Sequence, residues 1–497
     1  MPVGTPPDLN ADVCVVGGTT AGLWTALRLA RRGVEVVLLE QGTLAPVHRA
    51  GLLSPGLTLW QSTVCGQASK ETARATFDLS LEAVADAVAE FEALGIGRTG
   101  RGLLRVGAGH ETAALDAEAA GRDLLGLSQL RRWGRMEIAA TIASNRYAGA
   151  TYDPHAVIFD TADLTFILAA AARAAGVRIL ERTPALGADL EGVRKYVHTP
   201  AGRVRADHVV LCAGRGAAAI APWLARALEP EPWVGGGFAV YTARPDFSGL
   251  VVEAGPLGAR FMPHEGELSF EAPTASRVRG EVGAAVTLRR RARAVYPELG
   301  RGLAERAAGF SLSRTPSGLP LIGERRPGVW YAAGLGGNPL ANAALAADAI
   351  TAALVDRNHK IADLSAFQPR YAFGLAGRAA SAASFWWLRL REGTAEQMAA
   401  RAARRAAAEA ASPPILPVAA PVNRGRLHGR LKRSDPRHGG AGQGHHAPAG
   451  VPVAHLVPDH GPGAVAGGMP GSALLHAAHA EAEAAADGSR VHLHAVT

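Results

Sequence analysis

Lysine is almost missing from this chain of 497 residues: Lys70, Lys195, Lys360 and Lys432 are the whole set, and arginine carries the other positive charges. Aromatics amount to only 5%, and the arginines are scattered without interleaved rings. The short group Arg289, Arg290, Arg291 and Arg293 therefore reads as a solvated face, and a formal charge of +8 does not imply nucleic acid as a partner. Cysteine is scarce as well. Cys14, Cys65 and Cys212 form no CxxC pair, so neither a disulfide framework nor a thiolate metal site is expected, and Cys14 and Cys212 sit in apolar runs that read as core. No run of 18 apolar residues occurs, so no transmembrane segment is expected. "MPVGTPPDLNADV" has no basic start followed by an apolar stretch, which makes a cytoplasmic protein the expectation. Triads, paired carboxylates and HExxH motifs are not recognisable, and no metal is expected.

What is present is an apolar content of 48%, enough for two or more packed domains. "DVCVV" is a short buried-strand run, and Leu23, Ala26, Leu27 and Ala30 then recur at helical spacing until Gly33. "VEVVLLE" follows as a second strand ending in Glu40. Strand, turn, helix and strand within about thirty residues make a βαβ unit. Its turn, "VVGGTTAG", resembles G-x-G-x-x-G with Thr19 in place of the middle glycine. Gly17 permits the tight turn, Gly18 gives slack, and Gly22 lets the helix lie close to the strand. The helix start offers N–H groups and a positive dipole end to a pyrophosphate, the hydroxyls of Thr19 and Thr20 can donate to its oxygens, and Glu40 can accept from a ribose.

Regular alternation stops after this unit. Residues 78–93 and 111–127 read as helices, and 230–290 reads as strands through "GGGFAVYTARP", "GLVVEA" and "ARFMPHEGELSFEA". Nucleotide-domain elements return twice. "DTADLTFILAAAARAAGVRIL" predicts a helix capped by Asp160 or Thr161 and a following strand, and "VRADHVVLCAG" predicts a buried strand ending at Ala213 and Gly214. "GVWYAAGLGGNPLANAALAADAI" predicts a strand, a loop at Gly334, Gly336 and Gly337, and a small-residue helix with Asn338 as N-cap and Pro339 first.

Taken in order, "VVGGTTAG…VVLLE", "HRAGLLSPGL", "DTADLTFILAAAARAAGVRI", "VVLCAG" and "TPSGLPLIG…GVWYAAGLGGN" make residues 10–365 similar to the D-amino-acid-oxidase-like superfamily of FAD-dependent oxidoreductases, the group of glycine, sarcosine and gamma-glutamylputrescine oxidases. The resemblance implies an α/β fold: a Rossmann-like FAD-binding domain interleaved with an α+β substrate domain built on a mainly antiparallel sheet. FAD-binding segments at 10–75, 146–222 and 313–365 would alternate with a helical insertion at 76–145 and the substrate sheet at 223–312. It implies FAD pyrophosphate on Gly17, Gly18, Thr19, Thr20 and Gly22, the adenosine ribose on Glu40, and adenine near the backbone of Ala185. Arg49, Ala50, Gly51 and Leu52, with the chain to Ser54, would run along the isoalloxazine. Ala213 and Gly214 would lie near the ribityl or pyrophosphate portion, and Gly334, Gly336, Gly337 and Asn338 would bring a helix start to the pyrimidine end.

The implied activity is oxidation of a C–N bond in a small amine or amino acid by hydride transfer to flavin N5, which needs no invariable general base. A substrate carboxylate would then need a cation. Arg314, Arg260 and the hydroxyl of Tyr241 are the candidates. Oxidases of this group use a lysine near N5 to activate oxygen, so the scarcity of lysine tilts the expectation toward a dehydrogenase, with oxygen or an unknown acceptor. Two alternatives stay open: a flavin-binding subunit without its own turnover, and an NAD(P)-linked reductase, which would carry a second glycine fingerprint. Residues 366–411 read as helices docking on the body through Trp386, Trp387, Leu388 and Leu390. Residues 412–497 hold ten of the 17 histidines at irregular spacing and read as disordered.

Overall fold

The computed structural model describes residues 8–45, 51–127, 130–239, 247–255, 258–264, 267–274, 278–297, 299 and 304–367, and single positions at 383, 386, 387, 390, 391, 394, 398 and 401. The chain separates into two compact units, Met1–Gln397 and Met398–Thr497; in the second only Met398 and Arg401 are described. Among the described residues the strands are β1 (Leu9–Val16), β2 (Val36–Leu39), β3 (Gly51–Leu53), β4 (Arg98–Gly107), β5 (Arg131–Gly134), β6 (Gly149–Phe159), β7 (Arg178–Leu180), β8 (Gly187–Asp189) and β9 (Lys195–Thr199). They continue with β10 (Gly202–Leu211), β11 (Glu229–Ala239), β12 (Leu250–Glu253), β13 (Arg260–His264), β14 (Glu267–Pro273), β15 (Ala304–Arg314), β16 (Leu321–Arg326) and β17 (Val329–Ala333). The helices are α1 (Thr20–Arg31), α2 (Gln61–Cys65), α3 (Lys70–Ala93), α4 (Thr112–Leu124), α5 (Arg135–Ile142), α6 (Leu164–Ala174), α7 (Pro222–Arg226), α8 (Glu281–Val295) and α9 (Pro339–Val355).

The first sheet runs β16-β17-β10-β1-β2-β7, with β9 and β8 added beside β10. Strand β1 lies parallel between β10 and β2, and Val13, Cys14, Val15 and Val16 are all buried. Burial on both faces is what an unalternating apolar run specifies. Val13, Val15 and Leu38 meet α1, α6 and α9 on one face, whereas Cys14, Val16, Val37 and Leu39 form the other. In α1 the stripe Leu23, Ala26 and Leu27 is fully buried, but so are Trp24 and Leu29. The reason is α3, which stacks Phe91 on Trp24 at 5.0 Å, while Glu90 accepts from the Trp24 Nε1–H at 2.6 Å.

The second sheet runs β15-β11-β14-β13-β12-β4-β6-β3, with β5 beside β6. Its described pairs are antiparallel except β12 with β4, so the sheet is mixed. One face is closed by α5 and α8 over Val234, Phe238, Phe261 and Phe270. Helix α8 corrects the expectation of strands through residue 290. Ala284, Leu288, Ala292 and Val295 are its buried stripe, and alanine carries too little apolar signal to reveal the helical period beside four arginines.

Two end expectations also change. Position N-cap of α6 is Asp163, whose side chain makes no capping bond; Asp160 instead accepts from Ala162 N at 3.0 Å, one turn earlier. Trp386, Trp387 and Leu390 are more than half exposed rather than docked, and Leu388 lies outside the described residues, as does the histidine-rich stretch from 412 on. Among the described residues no helix is long and apolar enough to cross a membrane.

Candidate functional site

The turn between β1 and α1 is tight for stated reasons. Gly17 has φ +112°, and a Cβ there would lie 2.6 Å from Ala213 N. A Cβ on Gly22 would lie 2.0 Å from the Gly17 carbonyl oxygen, so this glycine sets how closely α1 approaches β1. Thr19 is the N-cap of α1: its Oγ1 accepts from Gly22 N at 3.2 Å and donates to Cys212 O at 3.2 Å. This corrects the expectation that the Thr19 hydroxyl donates to a phosphate. Its proton is already committed across the sheet, so the side chain turns inward and the seat stays open above the first-turn N–H groups, which have no intrahelical partner. Glu40 is held from both sides, its Oε2 accepting from Gly18 N at 2.7 Å and its Oε1 from Gly42 N at 2.8 Å. Each carboxylate oxygen keeps a further lone pair for a hydroxyl donor.

From this turn a cavity of about 430 Å³ runs past Thr161, Ala213 and Gly214 to Gly334 and Gly336, with Thr20 and Gly51 also on its wall. The turn and the second glycine loop therefore share one cavity. Gly334 (φ +58°) and Gly336 (φ +63°) bend the chain between β17 and α9, whose amino end opens with Pro339 on that wall. A helix start there presents positive potential. Such a seat, an elongated cavity with a glycine-cradled helix start at each end and a carboxylate beside the first, fits an extended dinucleotide.

Asn338 occupies the N-cap position of α9 but makes no capping bond. Its Nδ2 donates to Ser54 O at 2.7 Å and Gly56 O at 2.9 Å, which ties the chain after β3 to the glycine loop. Asn342, fully buried one turn later, extends the tie by donating to Leu57 O at 2.8 Å and Leu335 O at 2.8 Å. Sequence reasoning passed over Asn342; a lone amide in a helix of alanines and leucines was the available signal.

The opposite end of the same chain segment is gripped by charge. Arg105 Nε donates to Leu59 O and Glu118 accepts from Ser62 N at 3.1 Å. Glu118 pairs with Arg122 at 3.1 Å, and Arg122 pairs with Asp153 at 2.8 Å. All four side chains are at most 8% exposed. Burial lowers the Arg105 guanidinium to about 10 despite Glu118. Nothing in the local sequence marks these residues, which come from β4, α4 and β6.

On the sheet face above, Arg260 and Gly337 come together: a Cβ on Gly337 would meet Arg260 Nη2 at 3.3 Å. The Arg260 guanidinium lies 4.9 Å over the Trp233 ring and forms no ion pair with any described carboxylate. Burial lowers its pKa, while Glu271 and Glu231 act in the opposite sense. Arg314 sits nearer the edge, paired with Glu229 at 3.5 Å. Trp233, which the sequence reading did not single out, stacks on Phe310 with centroids 6.5 Å apart. Of the remaining expected residues, Leu52 is buried against Leu59 and Ile158, and Ala185 packs against the core of the first sheet, two residues after Thr183, whose N–H donates to Glu40 O at 2.8 Å. Arg49, Ala50 and Tyr241 lie outside the described residues.

Residues 12–353 match the family described as "FAD dependent oxidoreductase". Glycine oxidase of Geobacillus kaustophilus is 26% identical over 387 residues, covering 74% of this chain and 98% of that protein. The crystal structure of glycine oxidase from that organism superposes with a TM-score of 0.61 at 23% identity, over 74% of this chain and 100% of the other. L-proline dehydrogenase from P. horikoshii has the same fold, with a TM-score of 0.60 at 18% identity over 74% and 98% of the two chains. The family match spans both sheets and the whole cavity between the two glycine loops, and the chain is an FAD-dependent oxidoreductase of the D-amino-acid-oxidase-like superfamily.

Proposed function

We propose that this enzyme oxidises the C–N bond of a small amino acid or amine whose carboxylate is received by Arg260. The observation that carries the reading is the position of that guanidinium: partly buried, without an ion pair among the described residues, and beside Gly337, the chain neighbour of Gly336 on the cavity wall. A carboxylate in two-pronged contact would supply the missing counter-charge. Arg314, whose charge Glu229 already balances, is the weaker candidate.

The residues that would hold FAD follow from the cavity. Gly17, Gly18, Thr20 and Gly22 would shape the pyrophosphate seat at the start of α1, Thr19 would brace it from inside, and Glu40 would accept from the adenosine ribose. Ala213 and Gly214 would border the middle of the cofactor, and Gly334 to Asn338 its pyrimidine end. When bound, the flavin supplies a two-electron acceptor for hydride from the carbon beside the substrate nitrogen. The protein's own contributions are alignment and electrostatics. The amino end of α9 would stabilise negative charge developing on a bound flavin. Asn338 and Asn342 tie the chain from Ser54 to Leu57, which follows Gly51 on the cavity wall, to the glycine loop and α9, so that the loop is held in one arrangement. Arg260 fixes the carboxylate and so sets which carbon is presented.

Lys70, Lys195 and Lys360 are not on the cavity wall, which supports an acceptor other than oxygen. The three free thiols agree with a cytoplasmic setting. The test is an anaerobic screen of amines and amino acids that follows flavin absorbance. Bleaching by one of them is expected, and it would dismiss a binding subunit without turnover. No bleaching by any substrate, with flavin demonstrably bound, would sink the proposal.

A further inference from the structure

Glu231 stands two residues before Trp233 on the same face of β11, opposite Leu312, which lines the cavity. The residue is partly buried, and its carboxylate, whose oxygens still reach solvent, makes no hydrogen bond or ion pair with any described residue. Arg260 is in the same position with the opposite sign. Glu271, opposite Arg260 in the strand register, and Glu231 both act on its charge, yet the guanidinium stacks on the Trp233 ring at 4.9 Å instead of closing on either carboxylate. Trp233 itself is 4% exposed, and its Nε1 has no partner. A cation without an ion pair, an anion likewise and an unsatisfied indole donor thus share one face of the sheet, beside Gly337 in the glycine loop that borders the cavity. Opposite charges held apart on one face can both be engaged by a ligand that carries both signs.

We infer that the bridging group is the substrate, and that its class is an amino acid with a second, cationic group at the end of its side chain. The inference rests on the reading that Arg260 receives the carboxylate. Two residues of strand put Glu231 on the order of 7 Å from the Trp233 position, the span of a carboxylate and an ammonium at opposite ends of a short aliphatic chain. The carboxylate goes to Arg260, the distal ammonium or guanidinium to Glu231, and the aliphatic stem lies along the indole. Smaller neutral amino acids would leave Glu231 without a counter-charge. Acidic ones would place a second anion beside it.

Spectral titration of the FAD-loaded enzyme separates this from catalysis. Hexanoate and 6-aminohexanoate share a carboxylate and differ in the terminal ammonium, and neither carries an α-amine for oxidation. The wild type is expected to bind 6-aminohexanoate about tenfold more tightly, the effect of one charge-assisted hydrogen bond. Glu231→Gln should bring the two dissociation constants together while hexanoate binding changes less than about twofold. In turnover, Glu231→Lys should shift preference from lysine-like toward glutamate-like substrates, and flavin content with the melting temperature reports whether either variant folds. Equal affinity of the wild type for the two acids would overturn the inference, as would an unchanged ratio in Glu231→Gln, and C–N oxidation would still stand. Bleaching by no amine at all refutes the reading of the activity and this inference together.

Discussion

Replacing Gly22 with alanine tests the cofactor seat most directly. The added methyl would lie 2.0 Å from Gly17 O and 3.3 Å from the Cys212 side chain. Ordinary carbon–oxygen contact is about 3.3 Å, so α1 would have to retreat by roughly 1.3 Å. It has nowhere to go. Leu23, Trp24, Leu27 and Leu29 are fully buried, with α3 and α9 packed around them. Overpacking of this kind costs about 1–3 kcal/mol. Displacing Gly22 N from Thr19 Oγ1 adds the loss of a helix cap, about 1 kcal/mol. The sum of about 2–4 kcal/mol corresponds to a fall in melting temperature of roughly 3–5 °C for a unit of this size. The same retreat withdraws the first-turn N–H groups from a bound pyrophosphate. Losing two charge-assisted bonds weakens FAD binding about 100-fold or more. Gly97→Ala is the control, since a methyl at that exposed position meets nothing within 4 Å. Quenching of flavin fluorescence on titrating the apoprotein gives the affinity, and thermal unfolding gives the stability. A Gly22→Ala protein with a dissociation constant within threefold of wild type and an unchanged melting temperature would refute the assigned seat.

Asn338→Ala should orphan the carbonyls of Ser54 and Gly56, at about 1–3 kcal/mol for each buried acceptor, and show as lower FAD retention during purification with faster proteolysis near residue 56; intact retention would rule out the tie. Arg105→Met or Glu118→Gln alone should each cost about 3–5 kcal/mol by leaving a buried charge unpaired, whereas the double variant should cost clearly less than the sum. Strict additivity in denaturant titrations would mean that the two do not act in one network. Burial raises Cys14 and Cys212 from 9.0 to about 12, so neither folded thiol ionises where an unfolded one does. Stability is then unaffected below about pH 9 and declines as pH rises from about 9 to 12, and Cys14→Ala should flatten that decline. Iodoacetamide at pH 8.5 should modify both thiols only after unfolding, and rapid labelling of the native protein would contradict their placement.

Much of the fold was written in local order. The βαβ unit, the returning strands β10 and β17 and the start of α9 each follow from periodicity, glycine stops and a Pro at a helix start, signals carried within a few residues. The same locality explains why α8 escaped notice, because its buried positions are mostly alanines. Gly17, Gly22 and Glu40 were legible as a nucleotide turn because steric demand and chain spacing define them.

What a side chain does once the fold brings distant backbones together was not legible. Thr19 donates to Cys212, nearly two hundred residues away in the chain, and Asn338 reaches back to Ser54 and Gly56 instead of capping its own helix. The Arg105, Glu118, Arg122 and Asp153 cluster and the Arg260–Trp233 stack have no sequence pattern at all. Hydrogen-bond partners and the burial of charge depend on which strands and helices come within a few ångströms of each other. The amino-acid order determined the elements and the nucleotide turn; tertiary packing alone decided which polar groups tie distant segments together beside the cavity and which are left without an ion pair among the described residues.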